Sequence, residues 1–142
     1  EIAQCLVGSE MCIRDRRYTE YKDQILTTEV YHSGKSALAN GYEYKGQPII
    51  ISEYGGIAFN NDDSGWGYGN KVNTKEDFIK RFDDITTAVK KIPYCCGFCY
   101  TQVSDVQQEI NGLMDMERNF KVEPEIIKEI NERKVGYWRT FM

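Results

Sequence analysis

Histidine and proline are scarce, with one His and three Pro among 142 residues, and lysines and arginines never gather into a single stripe. Each shortage excludes something. A lone His32 cannot supply a histidine-rich metal site or a Ser-His-Asp array, and it is read as a surface loop residue. Scattered bases, a formal charge of −4 and aromatics that do not alternate with cations argue against a nucleic-acid surface. No apolar run approaches the roughly 18 residues of a membrane span, so no membrane partner is expected. What remains is ordinary for a folded domain: 41% hydrophobic and 28% charged residues, enough for one core.

The N-terminal stretch does not fit that picture. Cys5 to Arg16, CLVGSEMCIRDR, follows neither a helical nor a strand period, lacks an initiator Met before it, and resembles translated sequencing-adapter read-through. Residues 1–16 are therefore expected to be a non-native or irregular leader. With the start not taken as native, the compartment stays open and the cytoplasm is only a default. Setting the leader aside reduces five cysteines to Cys95, Cys96 and Cys99, an odd number inside one apolar run. Free, buried thiols are expected rather than a disulfide framework. Cys96 and Cys99 look like a redox or zinc pair, but residues three apart on a strand face opposite ways.

Further along, Tyr18, Tyr21, Ile25 and Glu29 predict a helix over Arg17–Val30. Gln47-Pro48 opens the run Ile49-Ile50-Ile51, which reads as a strand buried on both faces and ends in Ser52-Glu53-Tyr54-Gly55-Gly56. A long Gly, Asn and Asp loop from Ile57 to Val72 follows. Thr74 can then cap a helix in which Phe78, Phe82, Ile85, Val89 and Ile92 recur at steps of four and three. Pro93 stops it, Tyr94–Thr101 reads as a second buried strand, and a polar loop spans Gln102–Glu123. Pro124 begins a last helix through Ile126, Ile127 and Ile130. Strands alternating with helices imply an α/β fold with a parallel sheet and right-handed βαβ units. Two strands alone cannot close a barrel, so the fold is expected to be incomplete.

The chemistry gathers at Glu53. A carboxylate directly after three buried aliphatics is costly unless it meets a polar cleft. Gly55-Gly56 allows a sharp turn beside it and leaves room for a ligand. Other apparent motifs fail: Gly34-Lys35-Ser36 lacks the preceding glycine and strand of a phosphate loop, and Asn60-Asn61-Asp62-Asp63 lacks calcium-loop spacing. No metal or cofactor is expected.

The segment PIIISEYGG, Pro48 to Gly56, resembles the nucleophile strand of glycoside hydrolase family 2, which includes β-galactosidases and β-glucuronidases. GFCYTQVSDVQQEINGL, Gly97 to Leu113, followed by Arg118 and Lys121, resembles the last barrel strand and substrate-side loop of the same family. The resemblance runs from Pro48 to Arg133. It implies that residues 17–142 are the C-terminal part of a (β/α)8 TIM barrel, about its last two to three βα units. It also implies a retaining mechanism in which Glu53 is the nucleophile and an acid/base Glu lies on an earlier strand absent from this chain, which alone would be inactive. Retention requires the two carboxyls about 5 to 5.5 Å apart.

The substrate would be a carbohydrate, and the missing N-terminal part of the same protein a structural partner. Oligomeric state stays open. By the same resemblance Tyr100 matches a position where an aromatic lies against the sugar, with core packing as its alternative. Trp66 either closes over the cleft or pins its loop. Gln102, Asp105 and Glu109 either contact hydroxyls or brace the loop. Glu109 stands near where glucuronide-acting members carry an Asn-x-Lys motif, and its negative charge favours a neutral β-glycoside. The competing readings are a non-catalytic carbohydrate-binding or structural α/β module and, more remotely, a cysteine-based redox or metal module.

Overall fold

Isoleucines 49 to 51, set off by Pro48, begin a strand β1 that runs Ile49–Gly55, longer than the aliphatic run itself. Helix α1 follows at Lys75–Lys90, strand β2 at Cys95–Thr101 and helix α2 at Pro124–Glu132. The computed structural model describes residues 41–60, 65–68 and 70–135. The leader over residues 1–16, the helix expected over Arg17–Val30 and His32 all lie outside them.

Helix α1 forms where the pattern predicts it. Thr74 adopts an extended backbone and its hydroxyl accepts the Asp77 amide at 3.0 Å, satisfying a donor that has no partner within the helix. Glu76 and Asp77 place negative charge at the positive end of the helix dipole. Phe78, Phe82, Ile85 and Val89 are almost completely buried, forming one apolar face. That face covers β1 and β2, which pair in parallel as the βαβ pattern requires. Phe59, Val122, Ile127 and Ile130 complete the same core.

Helix α2 has Pro124 in its first turn, and Ile127 and Ile130 face the core. Its C-terminal carbonyls are closed by α1. Buried Lys90 donates to Ile130 O at 3.1 Å and Asn131 O at 2.8 Å, and also to Arg133 O. A cation is favourable at this negative end of the helix. Arg133 also reaches back to Asp83 of α1, and its guanidinium is the main reason the Asp83 carboxyl stays below the usual carboxylate range.

Two expectations are corrected by the sheet. Ile49 and Ile51 are 7% and 1% exposed, but Ile50 is 50% exposed, so β1 is covered on one face only. The thiols behave likewise: Cys95 is buried, whereas Cys96 and Cys99 are exposed, and all three are free. The cause is one-sided packing, since α1 lies against the sheet, α2 packs on α1, and no described element covers the opposite face.

The aromatic centre of the core is Tyr54. Its ring meets Phe98 and Tyr100 edge-on at 5.7 Å in each case, and its hydroxyl shares a 2.9 Å hydrogen bond with buried Thr86. Burial pushes its phenol up to about 12, with the Thr86 bond opposing that shift. Below pH 10 the phenol is protonated in both folded and unfolded chains. Between about 10 and 12 only the unfolded chain ionises there, so rising pH favours unfolding. Tyr54→Phe is expected to cost about 1 kcal/mol at pH 7, because Thr86 loses a buried partner. Its urea midpoint should then fall less steeply than the parent's between pH 10 and 12. Equal slopes in the two proteins would rule out Tyr54 as the source.

Candidate active site

Strict alternation along β1 would put Glu53 on the face of Ile49 and Ile51, against α1. Pairing across the sheet shows why it does not go there. Ile51 pairs with Phe98 and Tyr54 with Tyr100, so Ser52 and Glu53 together stand opposite Cys99 alone. This is a β-bulge, and it shifts the in-out alternation by one residue. Tyr54 thereby reaches the helix-covered face at 1% exposure, while Ser52 and Glu53 are both left partly exposed. Among the described residues the Glu53 carboxylate has no hydrogen-bond or ion-pair partner.

The two glycines after Glu53 have a different role from the one expected. Gly55 and Gly56 have φ of +96° and +61°, which suits glycine. The space beside them, however, holds tyrosines rather than room for a ligand. A Cβ on Gly55 would sit 2.2 Å from Tyr100 Cε2, and one on Gly56 2.2 Å from Tyr68 Cδ2.

Beyond the strand ends, Gly56, Phe59 and Trp66 are joined to the stretch 101–110 by a run of backbone bonds. Gly56 N donates to Thr101 O at 2.8 Å, Phe59 N to Ile110 O at 3.0 Å, Trp66 N to Gln108 O at 2.7 Å and Ile110 N to Trp66 O at 2.8 Å. Over its described residues the loop after β1 is therefore paired with the loop after β2. Lys121 fastens the two. Its ammonium donates to Phe59 O at 2.7 Å, Ile110 O at 2.9 Å and the Asp105 carboxylate at 2.7 Å. The side chains of Lys121 and Asp105 are only 9% and 7% exposed. Burial holds the Lys121 ammonium below the ordinary lysine range, and its bonds to Asp105 oppose that. Asp105 also accepts the Gly112 amide at 2.8 Å. Gly112 admits no side chain, because a Cβ there would lie 2.4 Å from Asp105 N.

The predicted site residues thus divide. Asp105 braces the loop. Tyr100 packs at 5.1 Å against Phe82, and its hydroxyl accepts Ile57 N at 3.3 Å and donates to Asn111 O at 3.1 Å. Gln102 is held through its backbone by Asn111 O and Leu113 N, and the Thr101–Gln102 peptide is cis. Glu109 accepts the Asn111 side-chain amide at 3.1 Å and pairs with Trp66 through a parallel bridge. Trp66 remains 51% exposed. The geometry brings Trp66 and Glu109 together.

Sequence reasoning passed over Lys121 and Asn111 as working residues. Lys121 lies sixteen positions from Asp105 with no periodicity to link them, and buried Asn111 is marked only by the glycine after it. Ser52 Oγ, Gln102 Nε2 and Asn111 Oδ1 are buried without a hydrogen-bond partner among the described residues, which is uncommon in a finished interior. A cavity of ≈ 610 Å³ opens beside the Asp105–Lys121 pair, with Phe59, Asp115, Glu117 and Phe120 on its walls. Glu53 is not among its lining residues, so this cavity is not where a Glu53-centred reaction would occur. Among the described residues no group of three His, Cys, Asp or Glu could hold a metal ion, and no helix is long and apolar enough to cross a membrane.

Compared with known families and curated proteins, the chain matches no family model and no curated protein.

The buried pair makes a clear demand. Lys121→Met leaves Asp105 charged, buried and without its cation, and is expected to cost about 3 to 5 kcal/mol in urea unfolding. The double variant Asp105→Asn, Lys121→Met keeps an acceptor for Gly112 and should recover part of that loss. A Lys121→Met protein within about 1 kcal/mol of the parent would show that the ammonium is not the fastening group.

Proposed function

We propose that this chain is the C-terminal part of the (β/α)8 barrel of a retaining β-glycoside hydrolase acting on a neutral β-linked sugar, with Glu53 as its nucleophile. The observation that carries the reading is the bulge, which puts a carboxylate with no partner among the described residues at the C-terminal end of a parallel strand. In βα barrels that end of the strands bears the catalytic groups. The uncovered sheet face with its half-exposed Ile50 agrees with a strand whose other side belongs to a barrel interior. The resemblance of SEYGG and of YTQVSDVQQEINGL to glycoside hydrolase family 2 supplies the reaction class.

In that reaction a Glu53 oxygen attacks the anomeric carbon as the bond to the leaving oxygen breaks. An acid carboxyl from an earlier strand of the complete barrel protonates that oxygen. The same carboxylate then takes a proton from water, whose oxygen displaces Glu53 and releases the sugar. Alone, this chain lacks the second carboxyl and would not turn over.

Glu53→Gln preserves shape and removes the charge. Since no partner among the described residues is stranded, the stability of the chain is expected to change by about 1 kcal/mol or less. In the protein completed with its upstream barrel strands, turnover of an aryl β-glycoside should drop by several orders of magnitude. A mechanism-based fluorosugar should label Glu53, as read by peptide mapping. A label on another carboxylate, or near-normal turnover in the Gln variant, would leave a carbohydrate-binding module as the better description.

A further inference from the structure

Trp66 presents a problem of economy. Its indole is half exposed, so its burial can contribute little to holding the loop. The loop is held by other means. Trp66 N and O bond Gln108 O and Ile110 N, forming a parallel bridge with Glu109. Gly65 and Gly67 allow the backbone to sit down closely on its neighbours. A Cβ on Gly65, at φ +83°, would lie 2.6 Å from Ile110 Cγ2, and one on Gly67 would lie 2.7 Å from Ala58 Cβ. The ring is also oriented, because Tyr68 meets it edge-on at 5.9 Å and 90°. A rigid mount under an exposed aromatic is the arrangement of a platform for a ligand rather than of a pin.

The groups around the platform state what it would hold. Residues paired across a bridge lie side by side, about 5 Å apart at the backbone, with side chains on the same face. Glu109 therefore stands beside the indole. One of its oxygens is taken by Asn111 Nδ2 at 3.1 Å, and the other has no protein partner among the described residues. Gln107 and Gln108, exposed in the adjoining turn, add amide donors and acceptors. An apolar ring face beside a hydroxyl-accepting carboxylate suits a molecule with a C–H face and several hydroxyls. The fixed negative charge disfavours an anionic version of the same molecule.

We infer that Trp66 and Glu109 form a sugar subsite, in which a neutral pyranoside stacks on the indole and donates hydroxyls to the Glu109 carboxylate. The choice of a sugar rests on the proposed glycosidase reading, but binding does not require Glu53. Trp138 is replaced by Phe so that Trp66 is the sole indole, and Trp66 emission is followed during titration with methyl β-D-galactopyranoside, methyl β-D-glucopyranoside and methyl β-D-glucuronide. A saturable change is expected with at least one neutral sugar, and about tenfold weaker binding of the glucuronide. Glu109→Gln should shrink that discrimination, and Lys128→Gln, on the exposed side of α2, should leave the neutral affinity unaltered.

No saturable change with either neutral sugar would overturn the subsite, as would glucuronide binding equal to theirs. Fast exchange of the Trp66 and Ile110 amide protons in the free chain would overturn it too, because the platform must be fixed before the ligand arrives. Failure of Glu53 labelling with intact binding at Trp66 would remove the catalytic proposal alone. The reverse result would remove only the subsite.

Discussion

One buried ammonium holds together the two loops that follow the strands. Lys121 reaches a carbonyl from the loop after β1 and, from the loop after β2, a carbonyl and the carboxylate of Asp105, so its three protons are all satisfied by groups from both loops. Removing an ammonium from water is expensive, and the expense is offset only when every proton has an acceptor. The two loops therefore gain most when they sit together in this one arrangement. The backbone bonds around it, from Gly56 to Trp66, align on a register that Lys121 already sets. Trp66, Glu109 and the turn beyond Glu53 inherit their positions from that register.

A second lysine does related work at the other end. Lys90 closes α2 by occupying the carbonyls that the helix leaves open, and it ties that helix to α1. In both places a long flexible side chain is immobilised, which is entropically unfavourable, yet each joins segments far apart in sequence. The core beneath is apolar and aromatic, centred on Tyr54, Phe82 and Tyr100. It provides adhesion without direction, whereas the two ammonium groups specify where the outer segments attach.

Much of the fold could be read from residue order because the signals were local. The Phe78, Phe82, Ile85, Val89 series and the Thr74 cap lie within one helix, and the β1, α1, β2 alternation implies parallel pairing whatever the details. Glu53 stood out because its charge follows three isoleucines. The rest was hidden for a physical reason: it depends on relations between distant segments. Three isoleucines look the same whether one or both faces are covered, so the exposure of Ile50 was not legible. Asp105 offered the same residue type for a hydroxyl contact or a brace, and only the approach of Lys121 decides between them. The glycines beside Glu53 signalled close approach correctly, but not that tyrosines would do the approaching.

The bulge gives β1 a property that its composition does not reveal. A strand is a two-letter code, inward and outward, and an unpaired extra residue is a frameshift in that code. Upstream of it the inward letters fall on Ile49 and Ile51, and downstream on Tyr54. The number of residues between Ile51 and Tyr54 is thus constrained independently of their identity. Side chains at Ser52 and Glu53 can be exchanged without disturbing the phase, whereas losing either residue would turn Tyr54 away from Thr86 and leave its ring outside the core. Along this segment, length is the more rigidly specified quantity, and chemical identity is the one left free to carry function.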